Sequence, residues 1–288
     1  MSTHPGRILR DLMSRGTVMC PGAFNALVAR AAAKAGFQSV YISGGATANV
    51  AGYPDIGLIT LTEMTRTIRE IVDACRLPVI VDADTGYGEV ECVVRATVEY
   101  ERAGAAGLHL EDRVFPMRCG HLEGKSLITA VDMAEKVAAA AEYRLSKDFL
   151  IIARTDARSV KGMQEAIDRA NLYRQAGADM IFPEGLESEA EFAEFAKASP
   201  GLLLANMTEF GKTPLITAAD FHEMGYEIVI FPMTAFRVML KAVSDAYTTL
   251  LKEGTQAGFM DKMKTRQELY ELIEYPAYEA LDQELSEP

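Results

Sequence analysis

The residues able to act on a small molecule are scattered along the chain but share one context, because each follows a short apolar run. Asp82-Ala83-Asp84-Thr85 follows Val79–Val81, Glu111 follows Gly107–Leu110, Arg154 follows Phe149–Ala153 and Glu184 follows Met180–Phe182. Ser43-Gly44-Gly45, Asn206-Met207-Thr208 and Pro232, with Arg237 beyond it, stand after three further runs. Carboxylates held close together repel, so Asp82, Asp84 and Glu111 invite a hard divalent cation. Mg²⁺ suits them, bound through one or two carboxylates plus water and substrate, with Mn²⁺ as a substitute. The plainer reading is that Asp84 and Thr85 cap a helix. Arg154 can clamp a carboxylate at two points or pair with Asp156 or Glu184, and both can hold together. A Gly-Gly pair is ordinarily a turn, and here it can also bring backbone amides to a ligand.

Phe115–Lys125 is too long and too polar for a minimal strand-to-helix connection and reads as a lid. Within it, Cys119 lies between Arg118 and Gly120-His121, cationic neighbours that lower a thiol pKa and make a proton donor or thiolate. A cysteine in a loop is also commonly incidental. Cys20, Cys75 and Cys92 fall in apolar strand or helix patterns and read as core.

The elements that must position these groups are legible as alternation. Thr17–Cys20, Ser39–Ile42, Val79–Val81, Gly107–Leu110, Phe149–Ala153, Met180–Phe182, Leu202–Ala205 and Glu227–Phe231 make eight apolar runs without strict polar alternation. Strands buried on both faces read this way. Helical patterns separate them, such as Phe24–Ala35, Leu61–Ala74, Val90–Ala103 and Gly162–Ala176. Several end in a glycine suited to a C-cap, at Gly36, Gly104 and Gly177. Eight repeats predict one closed (β/α)8 barrel over residues 1–288, with chemistry at the carboxyl ends of the strands. A doubly wound open sheet is the alternative. Residues 253–288 are a helical extension beyond the barrel, carrying Arg266, Tyr270, Tyr275 and Tyr278, and are expected to pack on a neighbouring subunit.

The chain has 288 residues, 49% hydrophobic and 24% charged, with a formal net charge of −12. Nucleic acid and anionic membrane want a basic face, so neither is expected as a partner. No apolar run approaches a membrane span, and the polar, basic start of the chain lacks the apolar core of a secretory signal. Four cysteines without a CxxC pair fit a cytoplasmic protein with reduced thiols.

The segments VYISGG, GYPDIGL, VDADTGYG, GLHLED, RCGHLEGK, IARTDA, FPEG, LANMTEFGKTP and TAFR run in order across nearly the whole chain. In them the sequence resembles the isocitrate lyase and phosphoenolpyruvate mutase superfamily, most of all its 2-methylisocitrate-cleaving lyases. The Cys-Gly-His lid resembles the lyase branch, since the mutases carry an Asn-Ser type. The resemblance implies Mg²⁺ on Asp82 and Asp84, with Asp55 and Glu111 in the wider metal shell. Ser43, Gly44 and Gly45 would hold a pyruvate portion. Cys119, Gly120, Arg154, Glu184, Asn206, Met207, Thr208, Arg237 and Arg266 would line the substrate site, with Phe182 and Ile230 around a substrate methyl. It further implies homotetramers that exchange the last barrel helix.

The implied reaction is retro-aldol cleavage of a small di- or tricarboxylate, 2-methylisocitrate giving pyruvate and succinate. Cys119 would be the acid, with His121 beside it, Arg154 would hold the developing charge, and Tyr41 is the candidate base, activated by the metal cluster. Two positions depart from the lyase pattern: Met117 where a lysine is usual, and Arg113 where a glutamine is usual. They bear on rate or substrate rather than fold. The alternatives are a lyase or hydrolase for dimethylmalate or oxaloacetate, a phosphonate-forming mutase that Cys119 disfavours, and a carboxylate-binding barrel with catalysis weakened at Met117.

Overall fold

The computed structural model describes residues 3–116 and 126–286. Cys119, Gly120, His121 and Met117 therefore lie outside the described residues. The eight runs are eight strands: β1 Val18–Pro21, β2 Val40–Ile42, β3 Val79–Asp82, β4 Gly107–Glu111, β5 Leu150–Thr155, β6 Met180–Pro183, β7 Leu202–Asn206 and β8 Ile228–Phe231. Every pairing between them is parallel, and β1 returns to β8 with Val18 opposite Ile228. The seam between β1 and β2 is held by a parallel bridge from Gly22 to Tyr41 and by Ala23 N–H donating to the Tyr41 carbonyl at 2.8 Å. Gly22 is required there, because a Cβ would lie 2.1 Å from the Pro232 carbonyl oxygen.

Alternation along each strand divides the core in two. Val40, Ile42, Val79, Val81, Leu108, Leu110, Ile151, Ala153, Ile181 and Val229 pack outward against the helices. Cys20, Tyr41, Ile80, Ile152, Phe182, Leu204, Ile228 and Ile230 fill the barrel interior. Burying one large apolar side chain of this kind contributes about 1.5–3 kcal/mol, so each strand is locked in register by both layers.

Helix Leu61–Cys75 matches the predicted segment and begins at a Thr60/Glu63 capping box. Helices Ala26–Lys34, Val90–Arg102 and Met163–Gln175 also fall within a residue or two of expectation. Helices Gly44–Val50, Pro5–Met13 and the short Ala157–Lys161 lie outside the expected patterns. Ser43-Gly44-Gly45 is not merely a turn but opens helix Gly44–Val50, with the Ser43 hydroxyl accepting from Ala46 N–H at 3.2 Å. Helix Pro5–Met13 sits beneath the barrel, where Leu9 and Met13 join the interior cluster. Gly6 lets it approach, since a Cβ there would meet the Asp148 carbonyl oxygen at 2.2 Å.

The extension folds as a short 3-10 segment and helices Arg266–Leu272 and Tyr275–Ser286. Within the chain, Glu274 pairs with Arg30 at 3.0 Å and Glu271 with Lys34 at 3.5 Å, both on helix Ala26–Lys34. No helix among the described residues is long and apolar enough to cross a membrane.

Candidate active site

The inward alternation does not stop where the apolar residues do. Continued past β2 to β7 it reads Tyr41 then Ser43, Ile80 then Asp82 and Asp84, His109 then Glu111 and Arg113, Ile152 then Arg154 and Asp156, Phe182 then Glu184, Leu204 then Asn206 and Thr208. The same periodicity that fills the barrel with hydrocarbon thus delivers polar groups to the mouth at its carboxyl end. A cavity of about 170 Å³ opens there, lined by the predicted residues Tyr41, Ser43, Gly45, Asp55, Asp82, Asp84, Arg154, Phe182, Glu184, Asn206, Thr208, Ile230 and Arg237.

Four predicted residues in the described chain stand elsewhere. Gly44 contributes its backbone, donating N–H to Asp82 Oδ2 at 3.0 Å. Glu111 lies behind the wall, paired with arginines. Met207 has the opposite parity from its neighbours and packs in the outer core, its sulfur facing Ile216 N–H. Arg266 is exposed at the start of helix Arg266–Leu272, outside the cavity lining. Arg113, Asn49, Pro232 and Met233 line the cavity without having been singled out as site residues. Parity alone would have found Arg113 and Pro232.

Asp82 is the most constrained acid. Its Oδ1 accepts from Asp84 N–H at 3.0 Å and its Oδ2 from Gly44 N–H at 3.0 Å. Burial pushes this carboxyl up, while His109, Arg154 and those two amides pull it down, and the pull wins. Burial also lowers the His109 pKa, which keeps the imidazole neutral, so near neutral pH the pull comes from Arg154 and the amides. Asp84, held at φ 48°, has its carboxyl raised well above the usual range by burial and then by Asp82, Glu111 and Asp55. Asp55 is raised by burial and by Asp82. It approaches from the loop before helix Leu61–Cys75, and a Cβ on Gly45 would lie 2.9 Å from its Oδ2.

This is the electrostatic signature of a site that wants a cation. Among the described residues no three His, Cys, Asp or Glu side chains converge into a full ligand set. That excludes nothing for Mg²⁺, which keeps several waters and takes one or two carboxylates. Gly44 leaves open the space beside the Asp82 and Asp84 carboxylates, where its Cβ would lie 3.0 and 2.8 Å from them. Hard oxygen donors around such a cradle fit the ion.

Across the cavity Arg154 is braced by three acids: Asp156 Oδ2 lies 2.9 Å from its Nε, Glu111 Oε2 3.3 Å and Glu184 Oε2 3.7 Å from its nitrogens. Asp156 is itself held through its N–H by Asp112, which also accepts from Thr155, Arg169 and Tyr173. Glu184 accepts from Asn206 Nδ2 at 3.1 Å, and Asn206 Oδ1 from Thr208 at 2.8 Å. Tyr41 Oη lies 2.7 Å from His109 Nε2 and 3.5 Å from Asp82 Oδ2. Its pKa is raised well above the usual range by burial and by Asp82, so the carboxylates alone do not activate it as a phenolate. Arg237 sits at the rim, 3.4 Å from Glu209 and over the ring of Phe210.

A closed parallel barrel carrying acids against guanidiniums at its carboxyl mouth defines a (β/α)8 enzyme for small anions. A family model described as phosphoenolpyruvate phosphomutase matches residues 9–251. The chain belongs to this family, the PEP mutase/isocitrate lyase superfamily. It is 51% identical to a 2-methylisocitrate lyase of Aeropyrum pernix, over 98% of this chain and 92% of that one. It is similar to a solved 2,3-dimethylmalate lyase, at a TM-score of 0.93 and 35% identity, covering 99% of this chain and 97% of that one. A phosphonopyruvate hydrolase solved with oxalate and Mg²⁺ is 28% identical at a TM-score of 0.88, covering 98% of this chain and 99% of that one.

Proposed function

We propose that the chain is a Mg²⁺-dependent carbon–carbon lyase that cleaves 2-methylisocitrate to pyruvate and succinate. The observation that carries this reading is one cavity lined by both the Asp82/Asp84 pair and Arg154, with Tyr41 in the same wall. Kinship with an enzyme of that activity over almost the whole chain supports the substrate, and the Mg²⁺ bound by a structural relative supports the metal.

Asp82 and Asp84 would hold the ion, with Asp55 nearby. When bound, Mg²⁺ supplies Lewis acidity toward the substrate's 2-hydroxyl oxygen as that oxygen becomes a ketone. The remaining work belongs to the chain. The Ser43-Gly44-Gly45 segment bounds the pyruvate end, with Ser43 and Gly45 in the cavity wall and the glycines making room for the carboxylates of Asp82, Asp84 and Asp55. Tyr41 takes the hydroxyl proton while passing its own to His109 Nε2, so no free phenolate need form. The carbon–carbon bond then breaks, the oxygen's electron pair becomes the second bond of the ketone, and the bonding pair stays on the succinate fragment. Arg154 holds the carboxylate on which that charge spreads. Cys119, a role that the RCGH resemblance supports, protonates the carbon. Phe182 and Ile230 give the cavity an apolar side against which the 2-methyl group packs.

The test is turnover of 2-methylisocitrate, isocitrate, 2,3-dimethylmalate and oxaloacetate with Mg²⁺, followed by keto-acid release. Preference for 2-methylisocitrate supports the reading. Preference for dimethylmalate or oxaloacetate replaces its substrate, and no turnover on any of them by a protein that binds Mg²⁺ overturns it.

We also infer a helix-exchanged homotetramer. On helix Thr234–Glu253 only Phe236 is buried, while Val238, Tyr247 and Leu251 are 66%, 69% and 90% exposed. Water-facing hydrocarbon on this scale marks an interaction surface. Light scattering that returned the mass of a single chain would remove the inference.

A further inference from the structure

The cradle beside Asp82 and Asp84 is presented by a loop with an unusual backbone. After β3 the chain runs Asp84-Thr85-Gly86-Tyr87-Gly88, with Asp84 at φ 48° and Tyr87 at φ 64°. Residues bearing side chains hold this left-handed conformation only where their surroundings enforce it. Two neighbouring helices do so. From helix Val90–Arg102, Tyr100 donates its hydroxyl to the Asp82 carbonyl at 3.1 Å and stands 2.6 Å from the Tyr87 hydroxyl. From helix Ala130–Tyr143, Lys136 Nζ donates to the Thr85 carbonyl at 3.1 Å and to the Gly88 carbonyl at 2.8 Å. Lys136 is only 7% exposed, and both acceptors it reaches among the described residues are main-chain carbonyls. Withdrawing a lysine from water is costly, and here it is spent on holding a loop rather than on neutralising an acid.

We propose that Lys136 is a positioning residue for the metal site, fixing the peptide units on the carboxyl side of Asp84 so that its carboxylate stays beside that of Asp82. This rests on placing the cation at the Asp82/Asp84 pair. Asp82, Glu111 and Asp55 crowd Asp84 with like charge, which favours its turning away. A left-handed backbone adds to that drive. Any cation meeting a relaxed loop must first rebuild the site, and its apparent affinity falls with the fraction of molecules already assembled. The competing account is that Lys136 only ties helix Ala130–Tyr143 to the barrel, which affects stability and leaves affinity alone.

The experiment counts free Mn²⁺ by its electron paramagnetic resonance signal, which reads binding without turnover. Lys136→Met keeps the length of the side chain and removes its donors. Its Kd for Mn²⁺ is expected to rise about 10- to 100-fold, as when other outer partners of metal ligands are removed. Lys136→Arg keeps donors for both carbonyls and is expected to fall between. Tyr226→Phe controls for stability alone, because it deletes a buried hydrogen bond, 3.1 Å to the Phe192 carbonyl, away from β3. All are measured below their melting temperatures, with circular dichroism as the check on folding. Should Lys136→Met not fold, Lys136→Gln, which can still serve one carbonyl, carries the same comparison. Weakened Mn²⁺ binding in the Lys136 variant with Tyr226→Phe unchanged supports the proposal. Wild-type Kd in the folded Lys136 variant, or equal weakening in Tyr226→Phe, overturns it. Wild-type affinity retained in Asp84→Asn would place the ion elsewhere and sink the metal reading, and this proposal with it.

Discussion

Tyr41 on β2 meets His109 on β4 across the barrel interior, hydroxyl to Nε2 at 2.7 Å, with the two rings stacked nearly parallel. Both side chains are buried, and among the described residues His109 Nδ1 has no hydrogen-bond partner. Tyr41 is thereby held at one orientation with a proton acceptor behind it. Tyr41→Phe keeps the ring packing and removes the relay. Its kcat on 2-methylisocitrate is expected to fall about 10²- to 10⁴-fold with little change in KM. A drop confined to KM would assign Tyr41 to binding instead.

Metal binding to the Asp82/Asp84 pair is expected to stabilise the folded chain, because the ion binds the assembled site and not the unfolded chain. At a hundredfold excess over Kd the gain is about 2.7 kcal/mol. For a domain of this size that corresponds to roughly 5–10 °C in Tm. Asp84→Asn, which removes one of the mutually repelling charges, is expected to raise the Tm of the metal-free protein while abolishing the response to Mg²⁺. Differential scanning calorimetry with and without chelator measures both.

Gly44→Ala tests the same cradle by steric means. The new methyl would lie 2.8 Å from Asp84 Oδ1 and 3.0 Å from Asp82 Oδ2, so the carboxylates must turn aside. These are side-chain ends and the backbone can stay in place. The variant is expected to fold, to lose the Mg²⁺-dependent shift in Tm, and to lose turnover. Wild-type Mg²⁺ affinity in this variant would place the ion elsewhere.

Arg154→Met is expected to destabilise the fold by about 3–5 kcal/mol, since it leaves Asp156 buried with its nearest charge partner gone. Arg154→Lys keeps a cation and is expected to fold, yet to lose roughly a hundredfold in kcat/KM because a point charge cannot replace the fork. Urea unfolding and steady-state kinetics separate the two effects.

Cys119→Ser is expected to abolish turnover with secondary structure unchanged by circular dichroism. Met117→Lys, which restores the residue usual in the resembling lyases, is expected to raise turnover. A lower rate would mean that the chain's own Met117 suits its substrate better.

The strands were legible because residues buried on both faces leave long apolar runs, and every run became a strand within a residue or two. Much of the site followed from the same pattern, since Asp82, Arg154, Glu184 and Asn206 continue it. Met207 and Thr208 show the resolution available: adjacent in sequence, they face opposite sides of the sheet, and only counting in twos tells them apart. Asp55 is different in kind. It arrives on a loop whose path is set by packing, so no spacing announces it. Helix Pro5–Met13 was hidden by its polar, basic look and an early proline, although proline is at home in a first turn. Arg113 stands out in the sequence only as a departure from the usual glutamine, because its burial against Glu111 depends on how two strand ends meet.

The helix beneath the barrel imposes a rule of traffic. Leu9 and Met13 stopper the amino end, so the barrel is a well with its mouth at the carboxyl end of the strands. Substrate enters and both fragments leave by that one mouth. When a molecule is cut in two inside such a well, the piece nearer the rim stands in the path of the deeper one. Departure becomes a queue, and product inhibition by the two acids is expected to be unequal in form as well as in strength.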